Sequence, residues 1–112
     1  MKSAIIPLFL AWTCLSAVPD VPVYPGAVMD EQVTKSLRKD HPDGIAYKTR
    51  DAFDKVEAFY KNAGSEDVPH TRNMSTALKY VVVRFPGKKF LIQLSWSPGG
   101  RLGTVIQLFQ KP

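Results

Sequence analysis

The chain has 112 residues, of which 45% are hydrophobic and 22% are charged, and it carries one cysteine. A chain of this length forms one small domain around one core. The composition excludes collagen, a coiled coil and a scaffold held by several disulfides. Fifteen Lys and Arg against ten Asp and Glu give a net charge of +5, and the basic residues form no single run. We therefore expect no nucleic-acid partner.

Residues 1–17 have the pattern of a secretory signal peptide. Lys2 supplies one positive charge, an apolar stretch follows, and small residues precede a polar break. The apolar stretch is shorter than the roughly 20 residues that span a bilayer, and no later segment approaches that length, so we expect no transmembrane span. We expect export to the periplasm or the medium, with cleavage after Ser16 or Ala17. The alternative is a buried N-terminal strand or helix of the mature domain.

Cys14 offers a less favoured alternative, a lipid anchor in the cell envelope. In bacterial lipoproteins the acylated cysteine follows a Leu-like residue and two small residues, whereas Ala11, Trp12 and Thr13 precede Cys14. The bulky Trp12 fits that pattern poorly. The rest of the chain carries no cysteine, which excludes disulfides, thiol catalysis and thiolate metal sites from it.

Residues 18–44 are predicted to form a Pro-rich lead followed by a marginal helix. Proline recurs every third residue over 18–26, so this Pro-rich segment should run extended. Met29, Val33 and Leu37 form one thin stripe at helical spacing, and the pattern leaves helix or strand open for residues 27–40. Pro42 and Gly44 then indicate a turn.

Residues 45–112 are predicted to form one compact α+β domain. Alternation of apolar and polar residues predicts a strand over 45–49, and an apolar face predicts a helix over 51–63. Asp51, with Asp54 as its partner, is expected to cap the start of this helix, and Gly64 is expected to end it in the left-handed conformation. Three further strands are expected at about 78–85, 90–96 and 102–109. The resulting order is β-α-β-β-β, with one main helix packed on one face of a three-stranded antiparallel meander.

Turn lengths predict how these strands face one another. An even loop at Pro86–Gly87 places Val81 and Val83 on the same side as Ile92 and Leu94. An odd loop after Trp96, with Gly100 at positive φ, brings Ile106 and Leu108 to that side as well. The helix is expected to cover this apolar side.

The other side of the sheet is half apolar, and we call it the second face. Its expected members are Tyr80, Val82, Arg84, Leu91, Gln93, Ser95, Val105, Gln107 and Phe109. One short helix cannot cover both sides of a sheet. Either the Pro-rich segment folds across this face, or the face receives an envelope protein, a second copy of the chain, an anionic surface polymer or a small ligand.

The sequence contains few groups of residues that could form a catalytic or metal site, and no motif identifies a reaction. Asp51, Asp54 and Glu57 suit a solvated helix start better than an acid–base pair, which needs a shared cleft. The stretch Asp40–Asp43 contains three ligand-type residues, but a metal would need further donors, so we expect neither a metal nor a cofactor. The alternative to a binding module is a small ligand-binding protein or hydrolase with a cleft near His41, His70 or Tyr80.

Three short motifs resemble a pattern in small exported bacterial proteins. They are Val21–Ala27 (Val-Pro-Val-Tyr-Pro-Gly-Ala), Tyr47–Asp51 (Tyr-Lys-Thr-Arg-Asp) and Val56–Tyr60 (Val-Glu-Ala-Phe-Tyr). The resemblance implies an α+β domain of the bacterial envelope, often lipid-anchored and of uncharacterised function, and it transfers no catalytic or binding residue. Together these patterns favour a non-enzymatic exported envelope module that binds a protein or surface polymer through the second face.

Overall fold

Within residues 18–96 and 103–110, which the computed structural model describes, seven antiparallel strands form one sheet and two short helices accompany it. The elements follow the chain as β1 (Val28–Met29), α1 (Glu31–Leu37), β2 (Ile45–Thr49), α2 (Phe53–Asn62), β3 (Glu66–Asp67), β4 (Asn73–Met74), β5 (Lys79–Arg84), β6 (Phe90–Trp96) and β7 (Thr104–Gln110). The order in the sheet is β1-β2-β7-β6-β5-β3, and β4 also pairs with β5. The predicted signal peptide, Cys14 and the loop around Gly100 lie outside the described residues.

The predicted β-α-β-β-β fold with one main helix is wrong, because a larger antiparallel sheet dominates the structure. The strands β1, β3 and β4 are each two residues long. A two-residue strand shows no alternation of apolar and polar residues, and alternation is the signal that reveals strands in a sequence. These short strands exist because a longer strand stands beside them: β1 pairs with β2, and both β3 and β4 pair with β5.

The apolar sides of the last three long strands align as the turn lengths predict. Val81 lies opposite Leu94, which in turn lies opposite Ile106. Residues that face each other across antiparallel strands point to the same side of the sheet, so these side chains share one face. All three are fully buried, and we call this side the core face.

Helix α2 packs on the core face through Phe53, Val56 and Tyr60, which are buried. The predicted N-terminal cap is wrong: Ala52 occupies the cap position, and the Asp51 carboxylate accepts a hydrogen bond from Tyr24 instead. The C-terminal end agrees with expectation. Gly64 has a φ of 109°, its N–H bonds the carbonyl of residue 61 at 3.1 Å, and the next N–H bonds the carbonyl of residue 60 at 3.0 Å.

The Pro-rich segment packs beside α2 on the core face rather than across the second face. Val21 and Tyr24 are buried in the same cluster as the helix side chains. The rings of Tyr24 and Phe59 meet edge to face at 5.3 Å between centroids, and the Tyr60 hydroxyl donates to the carbonyl of Pro22 at 3.0 Å. The alternative in which this segment folds across the second face is therefore wrong, because its apolar side chains pack in the core beside the helix.

Residues 27–40 combine a short strand with a helix. Asp30 caps α1 by accepting the N–H of Val33 at 3.1 Å. The buried Thr34 hydroxyl bonds both backbone groups of Ala46, accepting its N–H at 2.8 Å and donating to its carbonyl at 3.3 Å. Helix α1 thereby provides hydrogen-bond partners for backbone groups at the edge of β2, just beyond the point where its pairing with β1 ends.

Candidate functional site

The second face exists as one surface of the sheet, because the register brings its predicted members into three rows. The rows across β5, β6 and β7 are Arg84–Leu91–Phe109, Val82–Gln93–Gln107 and Tyr80–Ser95–Val105. The third row continues onto β2 at Lys48, which lies opposite Val105. Sequence reasoning found all nine original members, because alternation and turn length determine which side each residue takes.

The second face is more accessible than the core face. Its members are half-buried, apart from the exposed Arg84, whereas Ile92, Leu94 and Ile106 on the core face are fully buried. Within the described residues, α2 and the Pro-rich segment both pack on the core face. The second face instead carries a contact from His41, whose ring lies 4.6 Å from the ring of Phe109.

Charge on the second face is confined to its corners. Arg84 stands at one corner, where Nε and a terminal nitrogen bond Glu66 Oε1 at 2.9 and 2.7 Å. Lys48 stands at the diagonally opposite corner, three strands away. With strands about 4.8 Å apart and residues about 3.4 Å apart, these two positions are separated by about 20 Å. The area between them is uncharged and contains the Gln93–Gln107 pair.

The three residues proposed for an alternative cleft do not converge. His41 lies against β7, whereas His70 lies in the loop between β3 and β4, with β6 and β5 between them. His70 adopts a φ of 64° and is exposed. Tyr80 belongs to β5, opposite Ser95. The geometry therefore offers no shared cleft to His41, His70 and Tyr80 within the described part of the chain.

The three carboxylates at the start of α2 have separate environments rather than one acid–base site. Asp51 accepts from the Tyr24 hydroxyl, and this bond raises the pKa of Tyr24 above its ordinary value. Glu57 is only 8% exposed and is bonded by Arg72, a contact that raises the pKa of the Arg72 guanidinium. Asp54 is exposed in the first turn of the helix.

Sequence reasoning missed the ion-pair cluster around Arg72. Its guanidinium bonds Glu57 of α2 and, at 2.9 Å, the carboxylate of Asp67 in β3, while Lys61 approaches Glu57 at 3.5 Å. Arg72 and Glu57 are 15 positions apart, so no local spacing pattern pairs them. The cluster joins the helix to the β3–β4 loop. Among residues 18–96 and 103–110, no group of three His, Cys, Asp or Glu side chains is placed to hold a metal ion.

Comparison of the chain with protein-family models, with curated proteins and with solved structures finds no match. The helices of the described residues are all too short or too polar to cross a membrane.

Proposed function

We propose that the protein is an exported, non-enzymatic binding module whose second face receives a partner protein. One observation carries the proposal: α2 and the Pro-rich segment both pack on the core face, while the opposite side presents nine aligned, largely half-buried side chains. A half-apolar sheet face of this kind is typical of recognition surfaces.

The distribution of charge favours a protein over an anionic polymer. The centre of the second face is the uncharged Gln93–Gln107 pair, and the apolar Leu91, Val105 and Phe109 flank it. Protein interfaces have this anatomy, with charge depleted at the centre and placed at the rim. An anionic polymer would need cations along its path, and Arg84 is already paired with Glu66. The expected partner therefore presents a partly apolar surface with an acidic group placed to meet Lys48.

Affinity capture with point variants tests the proposal. The immobilised protein is exposed to envelope extract, and the bound material is compared among wild type, Leu91→Glu, Phe109→Glu and the control Met29→Glu. Met29 is an exposed apolar residue on the opposite side of the sheet, so its variant introduces the same charge away from the second face. We expect one protein to be retained by wild type and Met29→Glu, and to be lost by both second-face variants.

Three outcomes would overturn the proposal. If the Leu91→Glu and Phe109→Glu proteins fold and still capture the same partner, the second face does not bind that partner. If material from the extract is still captured after the extract has been treated with protease, the second face binds a polymer rather than a protein. Self-association in sedimentation that Leu91→Glu abolishes would assign it to a second copy of the chain.

Export is proposed from residues 1–17 and is supported by the resemblance to small exported bacterial proteins. Intact mass of the protein purified from its native envelope tests it. We expect a mature chain that begins after Ser16 or Ala17. A chain that begins with an acylated Cys14 would establish the lipid anchor instead. A chain that still begins at Met1 would contradict the proposed cleavage and export.

A further inference from the structure

A cleft opens at the end of β2, beside the corner of the second face that Lys48 occupies. It has a volume of about 500 Å³ and is lined by Gly26, Val28, Lys48, Thr49, Arg50 and Asp51. Cavities of about 300–1,000 Å³ hold small organic molecules. The cleft is therefore large enough for a ligand of monosaccharide size.

The local chain path creates the cleft. The N–H of Ala27 bonds the carbonyl of Tyr24 at 3.1 Å, which closes a tight turn with Pro25 and Gly26 at its centre, and Gly26 has a φ of 84°. The turn leads directly into β1, which pairs with β2 over only two residues. Gly26 of the turn, Val28 of β1 and residues 48–51 at the end of β2 line the cleft.

The cleft has an excess of positive charge. Lys48 and Arg50 both line it, and within the described residues no carboxylate lies within 4 Å of either cation. Asp51 also lines it, but its Oδ2 atom already accepts the Tyr24 hydroxyl and faces Lys55 Nζ at 3.8 Å. The Asp51 charge is thus partly compensated from outside the cleft, whereas the charges of Lys48 and Arg50 are available to a ligand.

We propose that this cleft binds a small organic acid through its carboxylate, with Arg50 and Lys48 as the binding cations. A guanidinium presents two parallel N–H donors that match the two oxygens of a carboxylate, and Lys48 adds a point charge beside it. Inorganic phosphate has no apolar body that could contact Val28, which also lines the cleft. Val28 supplies an apolar surface for the body of the ligand.

Calorimetric titration with glucuronate, glucose and inorganic phosphate tests this site on the whole protein. Glucuronate and glucose share a ring and differ in the carboxylate, so we expect glucuronate to bind and glucose to show no binding. We expect Arg50→Gln and Lys48→Met each to weaken glucuronate binding at least tenfold. Lys39→Gln removes an exposed cation that does not line the cleft and should leave the affinity unchanged.

Two further measurements are the salt dependence of glucuronate binding and its response to a variant of the second face. Raising the ionic strength from 20 to 200 mM should weaken glucuronate binding severalfold, because exposed charges are screened. Leu91→Glu should bind glucuronate as wild type does, so this site and the partner-binding face can fail separately. The proposal is overturned if glucuronate does not bind, if glucose binds equally well, if phosphate binds more tightly, or if both cleft variants bind like wild type.

Discussion

The hydroxyl of Tyr24 donates a hydrogen bond to the carboxylate of Asp51, and this contact ties the Pro-rich segment to the junction between β2 and α2. The two residues are 27 positions apart in the chain. The same junction is held from β7, because the Thr104 hydroxyl donates to the backbone carbonyl of Asp51 at 2.9 Å. The start of the helix is therefore fixed by tertiary contacts rather than by a local side-chain cap.

Replacing Tyr24 with Phe should lower the free energy of unfolding by about 1 kcal/mol. The ring still packs on Phe59, so the loss reports the hydrogen bond to Asp51. Urea unfolding measures the change. The matched control is Tyr47→Phe, since the Tyr47 hydroxyl has no hydrogen-bond partner within the described residues, and it should change stability little. Equal losses in both variants would contradict the role of the bond.

Replacing Arg72 with Ala should lower the free energy of unfolding by about 1–2 kcal/mol. The substitution leaves the nearly buried Glu57 carboxylate without its strongest partner, although the 35% exposure of the Arg72 side chain limits the cost. Lys61→Ala is the control on the same carboxylate. The Lys61 side chain is 55% exposed and its Nζ lies 3.5 Å from Glu57 Oε2, so the expected loss of unfolding free energy is below about 0.5 kcal/mol. A loss for Lys61→Ala as large as for Arg72→Ala would refute this ranking.

Replacing Gly103 with Ala should destabilise the protein far more than replacing Gly87 with Ala. The two glycines have nearly the same φ, 86° and 83°, so both substitutions carry a backbone cost of about 1 kcal/mol. A Cβ at Gly103 would also lie 2.6 Å from backbone atoms of Thr49 and Arg50, whereas a Cβ at Gly87 meets nothing within 4 Å. We expect a total loss of about 3 kcal/mol or more at Gly103. Thermal unfolding that ranks the variants equally would disprove the close approach.

The contribution of Asp20 to stability should disappear in acid. Partial desolvation of the Asp20 carboxylate works against its ionisation, but the N–H groups of Lys89 and Phe90, at 2.8 and 3.1 Å, lower the pKa of Asp20 below its ordinary 3.8. A depressed folded-state pKa means that the stabilisation is complete above the unfolded value and is lost as pH falls through the folded value. Asp20→Ala should cost less than about 1 kcal/mol at pH 6, because the group is exposed.

Urea unfolding of wild type and Asp20→Ala at pH 6 and pH 2.5 measures this dependence. The difference between the two proteins should shrink towards zero at pH 2.5. A difference that stays constant between the two pH values would show that the carboxylate charge of Asp20 does not stabilise the fold.

Much of the sheet could be predicted because its signals are local. Alternation marks the long strands, and the turn lengths determine that Val81, Leu94 and Ile106 share the core face. The same alternation placed the members of the second face. The short strands β1, β3 and β4 carry no such signal, since their hydrogen bonds depend on long neighbours that the chain supplies elsewhere.

Local patterns in the chain were enough to locate the long strands and the main helix, to assign side chains to a face and to place Gly64 at the end of α2, because each depends on residues a few positions apart. The burial of Val21 and Tyr24 in the core, the contact of Arg72 with Glu57 and the cationic cleft beside β2 became visible only in the folded chain. Those contacts join segments separated by many residues. Many pairings satisfy the same apolar and charged groups, and the choice among them follows from the packing of the whole chain.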